Sequence, residues 1–196
     1  MELITAKTLW KDYDPRNIPL DETVLITEYN EKYSVKHVYF NGEATGDGCT
    51  RIYARVYVPA SIPSGAAVVL MNDIETPFDT TYTEMLLECG YTVLVPDYAG
   101  KRTEGRFTIY PRSLNRADYF TETSGFYSLP DNPKVSCWYV YASVMLRGYV
   151  YLENMPSVDK SRICFMGVRR GAIQVYKAAY VMKEAACAVA LFNSSY

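Results

Sequence analysis

Val158-Asp159-Lys160-Ser161-Arg162-Ile163-Cys164-Phe165-Met166-Gly167-Val168-Arg169-Arg170-Gly171-Ala172 decides how the rest of the chain is read. Ile163 to Met166 is a short, unbroken apolar run, which suits a strand buried on both faces of a parallel sheet. From Arg170 to Lys183 the pattern reads as a helix. Between the two stands G-x-x-x-G with Arg169 at its centre, the frame of a sharp strand-to-helix turn. Such a turn holds its central residue in a strained conformation, and a side chain two positions to either side would strike the neighbouring strand and helix. Gly167 and Gly171 answer that requirement. The helix that follows aims its free N–H groups at the turn, a place that favours negative charge.

The same alternation extends outward. Ala66 to Met71 and Tyr91 to Val95 are continuous apolar runs and read as buried strands, separated by a short helix, Thr80 to Glu88, that stops at Gly90. Lys134 to Glu153 carries apolar residues at helical spacing (Val135, Trp138, Tyr139, Ala142, Met145, Leu146), and Ala188 to Phe192 reads as a last buried strand. Ahead of these, Tyr33 to Phe40 and Thr50 to Val58 alternate in part and form a predicted hairpin across the turn-rich connector Asn41 to Gly48, closed by Pro59. Residues 1–32 read as an N-terminal extension that wraps the domain formed by 33–196. A long irregular stretch runs from Asp97 to about Asn132, with an insertion over about 101–131. At roughly 35 residues it exceeds an ordinary connection, so it is either lid-like or packed on the sheet, with packing favoured for its aromatics. The expected fold class is α/β: a mixed, mostly parallel sheet with helices on both faces. Working groups in such sheets sit at the carboxyl ends of strands, which singles out Asn72-Asp73, Asp97-Tyr98 and the turn at Gly167 to Gly171.

At these residues the chain resembles the α/β-hydrolase superfamily, and within it the acetyl xylan esterase, cephalosporin-C deacetylase and dienelactone hydrolase-like group. The likeness runs from about Tyr33 to the C-terminus. It rests on V-D-x-x-R-I-x-x-x-G-x-x-x-G (Val158 to Gly171), on Asp97-Tyr98-Ala99-Gly100 where that group often has D-x-R-G, and on the second hairpin strand flanked by Asp47-Gly48 and Pro59. The resemblance implies the first half of the fold, with its last two strands missing. It also implies a nucleophilic Ser at the centre of the turn, where this chain has Arg169, and a His-Gly oxyanion loop, where it has Met71-Asn72-Asp73-Ile74. A guanidinium stays protonated and cannot attack an ester, and Asp73 would repel a forming oxyanion. The only histidine, His37, falls in the first predicted strand, away from the turn. No Ser-His-acid set can be assembled.

Three fates of the turn remain open: Arg169 pairs with Asp73 or Asp97, it points to solvent, or Arg169 and Arg170 hold an anion at the helix N-terminus. The expected function is a catalytically impaired or inactive hydrolase homologue serving as a binding or structural module. The alternative is an acetyl esterase- or deacetylase-like carboxylic ester hydrolase whose acid and histidine lie in a missing C-terminal part, acting on a small ester or acetylated carbohydrate. An unpaired last strand is expected to associate with a second copy or with that missing half.

Composition narrows the remaining classes. With 196 residues, 49 % hydrophobic and 21 % charged, the chain has the balance of a folded domain. A net charge of -2 offers no footprint for nucleic acid, and no apolar run reaches the ~18 residues of a membrane span. One histidine and five scattered cysteines give no metal-ligand spacing. No cofactor motif is present, neither GxGxxG nor a P-loop. The 19 tyrosines read first as core. The cysteines, Cys89 and Cys164 above all, read as small buried hydrophobes, and together with the absence of a signal sequence they point to a reducing, cytoplasmic location.

Overall fold

A computed structural model describes residues 4–61, 64–101, 105–120 and 131–192. Seven strands form one sheet in the order β1-β2-β3-β5-β4-β6-β7. After a one-turn helix α1 (Ala6–Leu9), β1 (Thr23–Tyr29), β2 (Tyr33–Thr45) and β3 (Gly48–Pro59) make an antiparallel meander. β3 then pairs antiparallel with β5 (Thr92–Pro96). From there the sheet is parallel through β4 (Ala67–Met71), β6 (Ile163–Val168) and β7 (Cys187–Leu191). The fold class therefore stands and the predicted strands are present, with two corrections: β2 runs through most of the expected connector Asn41 to Gly48, and the last strand, expected to be buried, is exposed from Cys187 to Val189 because it lies at the edge of the sheet.

β4 and β5 are buried at every position, because helices cover both faces. On one face, α3 (Cys137–Glu153) and α4 (Arg170–Val181) pack with Val69, Leu94, Phe165 and Val175 in the larger core. On the other, α2 (Thr81–Glu88) covers Val68, Leu70, Val93 and Val95. Fifteen of the 17 residues of α3 are buried, so this helix is the spine of the domain and not a surface element. Gly148 lets it cross close over the sheet: a Cβ there would stand 3.0 Å from Val69 Cγ1. The helix starts later than its periodicity predicts. Pro133–Val135 forms a 3-10 turn, and Ser136 caps α3 by accepting from the Tyr139 N–H.

Residues 1–32 do more than wrap. Trp10 stacks on Tyr139 at 4.3 Å and joins the larger core, and Thr23–Tyr29 adds the edge strand β1. This places His37 on the second strand of the sheet. Arg147, fully buried in the middle of α3, holds the segment down by donating to the carbonyls of Asn41, Pro15 and Pro19. Within the long stretch 97–132, the described residues are fixed to the domain at separate points, one on β3 and one against α3, with exposed residues between them. Ile109 bridges Arg51, and Leu114 and Ala117 are buried from the 3-10 turn Arg112–Ala117. Residues 102–104 and 121–130 of the lid-like reading lie outside the described residues. The cysteine expectation holds for Cys137, which is buried, but Cys89 and Cys187 are exposed because they close α2 and begin an edge strand. No helix among the described residues is long and apolar enough to cross a membrane.

Candidate functional site

The turn between β6 and α4 has the geometry its glycines require. Arg169 sits at φ 52°, ψ −115°, a left-handed conformation that costs a non-glycine residue on the order of 1–3 kcal/mol. Its N–H donates to Leu191 O at 2.9 Å and its carbonyl accepts from Ala172 N at 3.0 Å, so neighbouring pairing over-determines the strained backbone. A Cβ on Gly167 would stand 2.5 Å from the Gly171 carbonyl oxygen, and one on Gly171 2.0 Å from that of Met71. Both partners are backbone and cannot swing away. The turn therefore abuts the end of β4 and brings residue 169 to the loop that follows Met71.

Two cations at a helix N-terminus oppose the dipole, and that loop supplies the compensation. Asp73, with a side chain only 14 % exposed, places Oδ2 3.6 Å from Arg169 Nη1 and Oδ1 3.6 Å from Arg170 Nη1. Arg170 Nη1 also reaches Glu75 Oε1 at 2.8 Å, and its guanidinium lies 5.8 Å over the Tyr119 ring. Arg170 holds the Glu75 carboxyl below the usual range, and Glu75 in turn raises Arg170. Of the two pairs, the one through Arg170 is the stronger. Arg169 is 70 % exposed, so its contact is screened, whereas Arg170 is 31 % exposed and closes a true charge-assisted hydrogen bond.

The other expected pocket residues support the loops. Asn72 donates its amide to Pro77 O at 3.1 Å and Asp79 O at 2.9 Å, so it folds the loop after β4. The fully buried Tyr98 donates to Asn72 O at 2.8 Å, and burial pushes its hydroxyl well above the ordinary tyrosine value. Asp97 does not face Arg169. Its carboxylate accepts from Ala99 N at 3.0 Å, Gly100 N at 3.3 Å and Thr108 N at 2.7 Å, which moulds the segment after β5. Of the two carboxylates named for Arg169, the fold brings in Asp73 alone. Sequence reading passed over Glu75, although its spacing from Asp73 in a short loop was available. It also passed over Tyr119, which only the fold brings near Arg170.

His37 stays apart, in the antiparallel half of the sheet, with Nδ1 2.6 Å from the Tyr53 hydroxyl. The turn thus gathers two guanidinium groups and two carboxylates. This arrangement can fix a loop or present a charged surface, and residue 169 contributes no attacking oxygen or sulfur to it.

No protein-family model matches the chain, and no curated protein matches it. Solved structures do. The chain is similar to acetyl xylan esterase 1 from Thermoanaerobacterium sp., with a TM-score of 0.57 and 15 % identity over 87 % of this chain and 51 % of that one. It is similar to an acetyl xylan esterase from Paenibacillus sp. R4, with a TM-score of 0.54 and 18 % identity over 92 % and 54 %. A glucuronoyl esterase from Solibacter usitatus gives a TM-score of 0.57 and 15 % identity over 85 % and 50 %. Likeness at these identities speaks to the fold, which is that of the α/β-hydrolases. The chain spans about half the length of the structures it matches.

Proposed function

We propose that this α/β-hydrolase fold is catalytically silent and works as a binding or structural module. The observation that carries the reading is Arg169 at the centre of the turn, in the left-handed conformation that would present a nucleophile. A guanidinium is protonated at every working pH and has no lone pair to offer a carbonyl carbon. That holds whatever groups lie elsewhere. Asp73 and Glu75 then place negative charge beside the turn, where acyl transfer would need donors for an oxyanion. The structural reading is further supported at β7. No strand pairs with its outer edge among the described residues, and Val189 is 39 % exposed there, so another chain or segment could add a strand. Light scattering that found only monomer would remove this edge from the argument.

The second reading, a carboxylic ester hydrolase acting on acetylated carbohydrate or a similar small ester, draws on the printed names of the similar structures, which are esterases. It would need a nucleophile other than residue 169. Hydrolysis of a chromogenic acetyl ester by the chain and by Arg169→Ser separates the two. The silent reading expects no turnover above buffer from the unsubstituted chain. Saturable turnover that scales with protein concentration would overturn it.

A further inference from the structure

A cavity of about 500 Å³ lies between the antiparallel strands and the start of α2, away from the charged turn. Its floor includes a cross-strand pair: His37 on β2 stands opposite Arg55 on β3, and two residues along, on the same face, Val35 stands opposite Tyr57. Thr80, at the start of α2, closes one side. Arg55 is half-buried, with its guanidinium stacked 4.2 Å over the Phe78 ring. Its Nε is buried with no hydrogen-bond partner. Its hydrogen-bond partners are the hydroxyls of Tyr53 and Tyr57, and among the described residues no carboxylate pairs with it. Arg55 lines the cavity, and its charge is met there by hydroxyls and not by a carboxylate, which leaves a place for an anionic partner. Arg147, also buried, differs in that three carbonyls receive it.

We propose that this cavity is a binding site for a small-molecule carboxylate, with Arg55 as the anchor of the carboxylate group and the rings of Tyr33 and Tyr57 as the wall for its apolar body. These two rings meet edge to face at 5.6 Å and, with Val35, line the cavity. Guanidinium and carboxylate match as planar forks, which gives geometry as well as charge. The cavity favours one negative charge over two. It offers one arginine, and Glu28 stands on the rim 3.7 Å from His37 Nε2, where it would repel a dianion. This site is independent of the reading given to Arg169.

His37 is the sole histidine, so its imidazole C–H signals report on the cavity without assignment. Burial holds its pKa below the ordinary value, and of the charged groups that act on it Arg55 and Arg106 lower it further while Glu28 raises it. Titrating sodium benzoate into the full chain at neutral pH should shift these signals saturably, with half-saturation in the millimolar range, about −4 kcal/mol. Bound benzoate should also raise the pKa of His37, because its carboxylate offsets Arg55. Arg55→Gln should weaken binding at least about tenfold, the loss expected for a charge-assisted bond. Arg55→Lys, which keeps the charge and loses the fork, should fall between. Inorganic phosphate should bind more weakly than benzoate. The proposal fails if benzoate produces no saturable shift in the unsubstituted chain, if folded Arg55→Gln or Arg55→Lys responds as the unsubstituted chain does, or if phosphate binds more tightly than benzoate.

Discussion

Gly171 lies directly beneath the end of β4, so close that a Cβ on it would stand 2.0 Å from the carbonyl oxygen of Met71. The contact locks the α4 N-terminus to the neighbouring strand and aims residue 169 at the loop after Met71. Neither atom can move without breaking the β4–β6 ladder, which pairs Met71 with Gly167. Gly171→Ala should therefore cost about 3 kcal/mol or more, a large share of a typical domain's stability. Gly46→Ala is the control. No atom lies within 4 Å of its Cβ, and its urea midpoint should stay near that of the unsubstituted chain.

Replacement of Arg169 should be mild. Its contact to Asp73 is exposed at the arginine end and worth roughly 0–1 kcal/mol. Arg169→Gly also removes left-handed strain and should be neutral or stabilising by about 1 kcal/mol. Arg170→Met should cost more, about 1–3 kcal/mol, because Asp73 Oδ1 is buried without a hydrogen-bond partner and would lose its nearest cation. Thermal melts of the two variants would order them. An Arg169 variant less stable than Arg170→Met would contradict the assignment of the stronger pair.

Arg147→Met should destabilise by about 1–3 kcal/mol, since the buried Pro15 carbonyl contact and the two part-buried ones at Asn41 and Pro19 lose their donor. The damage should be directional. Residues near Pro15 and Pro19 are tied to α3 through Arg147, so limited proteolysis should cut there first. Cleavage spread evenly over the chain would count against this anchoring role.

Asp47 gives a pH signature. Its carboxylate accepts from Ser113 Oγ at 2.5 Å, Ser113 N at 2.9 Å and Thr45 Oγ1 at 2.6 Å, which holds its pKa down to about 2 from an ordinary 3.8. A carboxyl depressed by folding stabilises the native state above its unfolded value and loses that contribution as pH falls through the folded one. The effect is thus confined to the acid window between these two values. Ser113→Ala removes one of the hydroxyl donors. Carboxyl NMR should then find Asp47 titrating closer to its ordinary value. An unchanged midpoint would show that Ser113 is not what holds it.

The strands and helices were legible because their signals are local. The unbroken apolar runs Ala66 to Met71 and Ile163 to Met166 have no polar face to turn to water, so only a doubly covered parallel sheet accommodates them, and the structure buries them that way. The glycines of the turn were legible for the same reason, since the spacing of Gly167 and Gly171 carries the steric requirement itself. The strand Thr23–Tyr29 was not. Its residues are nearly all exposed at the edge of the sheet, and an edge strand lacks the alternation that burial imposes.

By itself, then, the sequence determined the order of elements from β2 onward, the sharp turn, and the identity of the residue that occupies it, because periodicity and steric bulk are properties of neighbouring residues. Only the tertiary structure decided which charges meet. Asp73 and Asp97 follow equivalent strands and look alike in the sequence, yet the loop after β4 brings one to Arg169 and Arg170 while backbone N–H groups claim the other. Arg147 and Arg55 were equally silent until the fold buried one among carbonyls and left the other beside an open cavity. Partner choice is set by distances of a few ångströms across the chain, and those distances exist only once the sheet has closed.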